Sequence, residues 1–214
     1  MSPRPSPRFD ALPCGSAALL LELPSLDDVL ALYGALADDP PPGVLDLVPA
    51  ARTLMLHLDA SVTDPAAVER AVRDVRPKAG GQAAGDLLEV PVVYDGEDLE
   101  EVGELTGWGA RGVVERHGSE EWTVAFCGFA PGFGYLVGAS GEWSVPRRST
   151  PRTKVPPGAV ALAGEFAGVY PRESPGGWQL IGHTDLTVFD LDRDPPALLT
   201  PGRRVRFVDA GRRT

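Results

Sequence analysis

Apolar and polar residues follow two different periods along the chain. In the first third, short apolar runs of strand length alternate with stretches of helical spacing. Ser16 to Leu23 is such a run, bounded by Gly15 and Pro24. Ser25 then suits an N-cap, with Asp27 and Asp28 in the first turn of a helix carrying Leu26, Val29, Leu30, Tyr33 and Leu36, stopped by Pro40-Pro41-Pro42-Gly43. Val44 to Val48 and Thr53 to Leu58 read as strands. Thr63-Asp64-Pro65 opens a second helix with Pro at its first position, running to about Val75 through Ala67, Val68, Ala71 and Val72. The order is strand, helix, strand, strand, helix.

Arg76 to Asp86 has no periodicity and centres on Ala79-Gly80-Gly81-Gln82-Ala83-Ala84-Gly85, the composition of a linker. A domain boundary is therefore expected near residue 85. Leu87 to Tyr94 resumes as a strand, and Asp98 to Leu105 and Ala110 to His117 suit two short helices. From Glu121 the period becomes two: Trp122, Val124 and Phe126 alternate with Thr123, Ala125 and Cys127. Further strands are expected at Ala159 to Ala163, Trp178 to Ile181, Thr187 to Leu191 and Arg204 to Val208. The pattern predicts a small α+β domain followed by a β-barrel-like one.

Composition narrows the class. The 214 residues, 43% hydrophobic and 23% charged, are enough for a real core, and a net charge of −10 argues against a nucleic-acid partner. Much of the negative charge lies in 89–121, where ten acidic residues face only Arg111 and Arg116, which reads as a solvated face. Cys14 and Cys127 lack partners at metal-ligand spacing and read as buried thiols of a reducing cytoplasm. The basic, proline-rich first residues lack the apolar run of a signal peptide, and no apolar stretch is long enough to span a membrane.

Candidate chemistry concentrates between Phe126 and Thr184. Glycine and proline there alternate with aromatics, the composition of shaped loops on a rigid β scaffold. Arg147, Arg148, Arg152 and Lys154 place four cations within eight residues, in a loop stiffened by Pro146, Pro151, Pro156 and Pro157. Two readings are open for them. They can pair with the acidic segment, or they can form a clamp for a small anionic substrate, since guanidinium forks match carboxylates. Tyr135 and Trp178 suit a pocket wall. His117, at a helix end, and His183, after the Pro175-Gly176-Gly177-Trp178 turn, are candidates to move a proton, while His57 reads as a packed or rim residue. Gly107 to Gly112 satisfies the letter of a dinucleotide fingerprint but lacks the strand that must precede it. The sequence shows neither a recognisable ATP motif nor a metal-ligand set.

Gly128-Phe129-Ala130-Pro131-Gly132-Phe133-Gly134-Tyr135-Leu136, the Pro146-Arg147-Arg148 and Val155-Pro156-Pro157-Gly158 segments, Val169-Tyr170-Pro171 and the stretch from Ser174 to Thr184 together resemble the allophanate hydrolase subunit 1 (KipI) family, most of all its branch of bacterial 5-oxoprolinase B-type subunits. The resemblance covers about residues 16 to 208. It implies a disordered segment at 1–15, a ferredoxin-like α/β sandwich at 16–85 and a cyclophilin-like β-barrel at 86–210. It also implies a subunit of an ATP-dependent 5-oxoprolinase that opens 5-oxo-L-proline to L-glutamate beside a homologous cyclophilin-like subunit and a third subunit, with ATP and Mg serving the assembled enzyme. Arg147, Arg148 and Arg152 would then hold the substrate carboxylate. Pro131, Gly132, Tyr135, Lys154, Gly176, Gly177 and Gln179 would complete the binding site, with His117 or His183 handling the proton. The family's alternatives are inhibition of a sensor histidine kinase and the carboxyltransferase half of a urea carboxylase/allophanate hydrolase system. Two positions depart from the family pattern: His183 stands where Arg is commoner, and Ala159 where Ser is usual.

Overall fold

The computed structural model describes residues 8–76 and 87–211, so the linker at 76–86, apart from Arg76, lies outside the described residues, as does the boundary near residue 85. The chain forms two compact units, Met1–Ala83 and Ala84–Thr214.

In the first unit, strands β1 (Asp10–Pro13), β2 (Ala18–Glu22), β3 (Val44–Pro49) and β4 (Thr53–Leu58) accompany helices α1 (Leu26–Asp38) and α2 (Pro65–Asp74). The helix signals behave as the sequence requires. Ser25 accepts a hydrogen bond from the Asp28 amide at the start of α1, and Asp64 accepts one from the Ala67 amide above Pro65. Among the described residues the sheet order is β1-β2-β4-β3, every pair antiparallel. The core is Leu19, Leu21, Leu54 and Leu56 of the central strands packed on Val29, Leu32, Leu36, Val68 and Val72 of the helices. Strand β1 corrects one expectation: residues 10–13 are not disordered. Their backbone groups complete the free edge of β2 in register from Asp10↔Glu22 to Pro13↔Leu19. Cys14, expected buried, sits exposed in the β1–β2 turn, where Gly15 takes φ +64°.

The second unit contains β5 (Leu87–Val92), α3 (Leu99–Thr106), α4 (Gly109–Ser119), β6 (Trp122–Cys127), β7 (Gly134–Gly138), β8 (Arg152–Val155), β9 (Ala159–Ala163), β10 (Phe166–Val169), β11 (Ser174–Gly176), β12 (Gln179–His183) and β13 (Arg204–Asp209). Among the described residues seven of these strands form one sheet in the order β12-β9-β10-β7-β6-β13-β5, while β8 and β11 pair separately. The two ends of the long sheet meet. Val93 and His183 exchange both backbone hydrogen bonds at 2.9 Å, which makes the sheet a nearly closed barrel. That seam is tight because two glycines allow it: a Cβ on Gly96 would lie 2.3 Å from the Leu180 carbonyl oxygen, and one on Gly182 would lie 2.4 Å from that of Val93.

Thr187 to Leu191 is not a strand: it carries the isolated bridge Phe189↔Ala197, with the Asp190 amide donating to the Pro196 carbonyl and the Leu198 amide to that of Val188. The Arg193 guanidinium takes the carbonyls of Thr187, Pro195 and Pro196, the first of which belongs to this segment. No helix among the described residues is long and apolar enough to cross a membrane.

Candidate functional site

The basic loop between β7 and β8 is anchored by an acid that lies fifty residues upstream. Asp98, just ahead of α3 and only 2% exposed, receives Arg148 at 2.5 Å and Arg152 at 2.7 Å on one carboxylate oxygen. Its other oxygen accepts the Leu180 amide at 2.7 Å, and its own backbone N–H donates to the Leu180 carbonyl. Burial alone would raise the Asp98 pKa, but the hydrogen bonds from Arg152 and Leu180 and the two guanidinium charges hold it below the usual carboxylate value. Arg152 also reaches Glu97 at 3.1 Å, and the Arg148 amide donates to the Gly177 carbonyl at 2.9 Å. Of the two open readings, pairing with the protein's own acids accounts for three of the four cations. Arg148 and Arg152 are consumed by the acidic segment, and Lys154 makes an exposed pair with Glu173 at 3.1 Å.

Arg147 is different. It is exposed, and no hydrogen bond or ion pair to it occurs among the described residues. It borders a pocket of about 430 Å³ walled by Tyr135, Val145, Ala163, Phe166 and Trp178. Tyr135 is stacked on Phe126 and meets Phe166 and Trp178 edge-on, so the wall is rigid. Burial raises the phenol pKa of Tyr135 and of Tyr170, and in both the positive charge of Arg147 opposes that rise, which places the guanidinium within electrostatic reach of both rings. Gly176 is required beside them: a Cβ there would fall 2.2 Å from the Tyr170 hydroxyl. A Cβ on Gly177 would lie 3.7 Å from Arg147 Nη2. The arrangement offers one guanidinium fork beside an aromatic wall, groups suited to an anion with an apolar part.

Of the sequence candidates, Tyr135, Arg147, Gly176 and Gly177 thus come together. Gln179 is buried beneath them and directs its amide nitrogen to the Pro146 carbonyl at 3.4 Å, a loop-packing role. Pro131 is exposed on a neighbouring turn. Gly132 at φ +81° serves packing, because a Cβ would lie 2.3 Å from Phe189 Cβ.

The two histidines do not join the site. His183 bonds Asp95 through Nδ1 at 2.8 Å at the barrel seam. It lies five residues along the chain from Trp178, which at strand spacing is about 15 Å away. His117, the other proton-carrier candidate, is fully buried, stacked on Phe207 at 4.3 Å, with Nδ1 sharing a 2.8 Å hydrogen bond with the Tyr94 hydroxyl. Burial pushes its pKa from 6.5 down to about 3. Because the folded value is lowered, the unfolded chain binds the proton more readily, so stability is lost as pH falls below about 6.5, by up to about 1.4 kcal/mol per unit. The urea midpoint followed by tryptophan fluorescence is expected to fall between pH 7 and 4.5. In His117→Phe that fall is expected to shrink; an unchanged fall would remove His117 as its cause.

Two further residues went unseen in the sequence. Asp98 was hidden within an acidic run whose other members are mostly exposed. Phe129 has φ +67°, the one non-glycine residue with positive φ among the described residues, and its side chain is 57% exposed. Holding a bulky residue in that conformation costs about 1–2 kcal/mol. Among the described residues no group of three or more His, Cys, Asp or Glu is placed to hold a metal ion.

Comparison with known proteins gives the arrangement its context. Residues 9–199 match the family described as carboxyltransferase domain, subdomain C and D. The chain is 42% identical over 173 residues to the 5-oxoprolinase B-type subunit of Escherichia coli O157:H7, a match covering 78% of each protein. It is 38% identical over 189 residues to the protein of the same name from Bacillus subtilis (strain 168), covering 80% of this chain and 78% of that one. The crystal structure of TTHA0988 superposes with a TM-score of 0.74 at 36% identity, covering 93% of this chain but 41% of that one, so this chain spans about two-fifths of the TTHA0988 length.

Proposed function

The chain belongs to the carboxyltransferase-domain family, subdomain C and D, within its branch of 5-oxoprolinase B-type subunits, and from that premise we propose that it serves as the B-type subunit of an ATP-dependent 5-oxoprolinase. The observation that carries this reading is 38–42% identity to proteins of that name over nearly four-fifths of their length. The pocket supports it on chemical grounds. 5-Oxoproline is a five-membered lactam bearing one carboxylate, and Arg147 over the Tyr135–Phe166–Trp178 wall matches both parts.

A lactam is a poor electrophile. Phosphorylation of its amide oxygen by ATP, as a substrate of the assembled enzyme, makes the ring carbon open to water. In this reading Arg147 holds the carboxylate and fixes the ring's orientation, and the aromatic wall excludes water from one ring face. Companion subunits, one with a homologous barrel and a third, supply the remaining groups. We propose as well that the two units correspond to a ferredoxin-like domain at 16–85, extended at its N-terminal side by β1, and a cyclophilin-like domain at 86–210, with β1 occupying the sheet edge that a strand after α2 would take in a ferredoxin-like sandwich.

The test is reconstitution. The chain and its companion subunits together are expected to form ADP and glutamate in equal amounts, dependent on 5-oxoproline, and omission of this chain is expected to stop both. Equal turnover without it would overturn the reading, and ADP release dependent on urea and bicarbonate would favour the carboxyltransferase alternative.

A further inference from the structure

The turn from Gly128 to Gly132 holds an aromatic ring in solvent at the expense of its backbone. Three local hydrogen bonds fix it: Ala130 N–H to the Gly128 carbonyl, Phe133 N–H to the Ala130 carbonyl, and Gly128 N–H to the Phe133 carbonyl. Within it Phe129 sits at φ +67° and remains 57% exposed. Its ring stands edge-on to Phe133 at 5.4 Å and to Tyr170 at 6.2 Å. Those contacts leave more than half of the side chain unburied, so packing within the unit does not account for the strained conformation. Backbone strain that packing does not repay concentrates where a protein meets something else.

The surroundings have the composition of a binding hot spot, with aromatic rings at the centre and arginine at the edge. Tyr170 and Phe133 support Phe129, and Arg147 acts electrostatically on Tyr170. Arg172, two residues beyond Tyr170, is exposed.

We infer that Phe129 is the aromatic anchor by which the barrel unit docks onto a companion polypeptide of the enzyme, inserting into an apolar pocket of that partner. The inference rests on the subunit reading above. Its occupant is argued from two facts: the relatives are named as subunits, and the matched region of TTHA0988 is continuous with further polypeptide amounting to more than half of that chain. A substrate is a poorer fit, because Phe129 is not among the residues that wall the Arg147 pocket.

The experiment compares the wild-type chain with Phe129→Asn, since asparagine tolerates positive φ and so removes the ring without adding strain. The probe is the polypeptide of the same organism that corresponds to the rest of TTHA0988, purified separately and titrated calorimetrically. Phe129→Asn is expected to weaken binding by about 30-fold or more, with the chain's own Tm unchanged within about 2 °C or raised. Affinity within about threefold of wild type would overturn the anchor, as would a wild-type chain that does not bind the probe. A Tm loss above about 5 °C would assign Phe129 to the core instead. Self-association of the wild-type chain that Phe129→Asn abolishes would make a second copy the occupant, and so overturn this one. If the complex forms through Phe129 but lacks 5-oxoproline turnover, docking stands and the enzymatic reading falls.

Discussion

Asp98→Ala is expected to destabilise the barrel unit by about 3 kcal/mol or more, the scale seen when one member of a buried ionic cluster is deleted. Two guanidinium groups converge on the lost carboxylate, and the Leu180 amide loses its acceptor at the same time. The cluster has no reserve: Arg148 Nε and Arg152 Nη1 are already buried without partners. Glu97 cannot substitute, because it meets only Arg152 and is itself largely exposed. Asp98→Asn keeps an acceptor for Leu180 and discards the charge, so its cost is expected to be intermediate. The measurement is urea unfolding, with a double-mutant cycle against Arg148→Met/Arg152→Met. If the arginines are the reason, Asp98→Ala costs much less in that background; equal cost in both would sink the explanation. Acid has the same effect as mutation. The folded carboxyl titrates below its usual 3.8, so its contribution is complete above that value and is lost only as pH drops beneath it. The loss assigned to His117 begins near 6.5, so the decline above 3.8 belongs to His117 and not to Asp98.

What the sequence makes legible is local, and what it hides is long-range. Ser25 and Asp64 announce their helices because a cap and the amide it satisfies lie three residues apart. Strands β6, β9 and β13 show because their apolar residues face a core whatever their neighbours are. By contrast β1 carries little apolar signal and is ordered by pairing with β2, which no periodicity reports. The failed strand at 187–191 has strand composition, but Arg193 captures the Thr187 carbonyl and the segment pairs only locally, with Pro196 and Leu198. The seam depends on Gly96 and Gly182 meeting Leu180 and Val93, residues separated by more than eighty positions along the chain.

The candidate site divides in the same way. Four cations in eight residues reveal that the loop needs anions, and the sequence leaves open whether those anions belong to the protein or to a ligand. Tertiary structure supplies protein anions to three of the four. Arg148 and Arg152 turn inward to Asp98, Lys154 pairs with Glu173 in solvent, and Arg147 is left facing the pocket. Histidines attract attention because their usual pKa lies near neutrality, yet burial at His117 removes that property and the barrel seam isolates His183.

That division predicts which arginine the reaction needs. Arg147→Ala is expected to lower kcat/KM for 5-oxoproline by about 100-fold, the loss of a charge-assisted fork to a carboxylate. Stability should stay within about 0.5 kcal/mol of wild type, because the residue is exposed and makes no ion pair among the described residues. Arg147→Lys retains the charge but loses the second parallel hydrogen bond, so an intermediate loss of about tenfold is expected. Arg148→Ala gives the opposite signature: stability falls first, because Asp98 is left buried with one fewer cation, and activity follows stability. A substrate lacking the carboxylate makes the assignment specific. For 2-pyrrolidinone, the same lactam without the acid group, the wild-type enzyme should show a kcat/KM lower by about the factor that Arg147→Ala imposes on 5-oxoproline. The variant should then treat the two lactams nearly alike, since the group that told them apart is gone. If Arg147→Ala still prefers 5-oxoproline by the wild-type margin, another cation reads the carboxylate and the pocket beside Trp178 is not where the lactam binds.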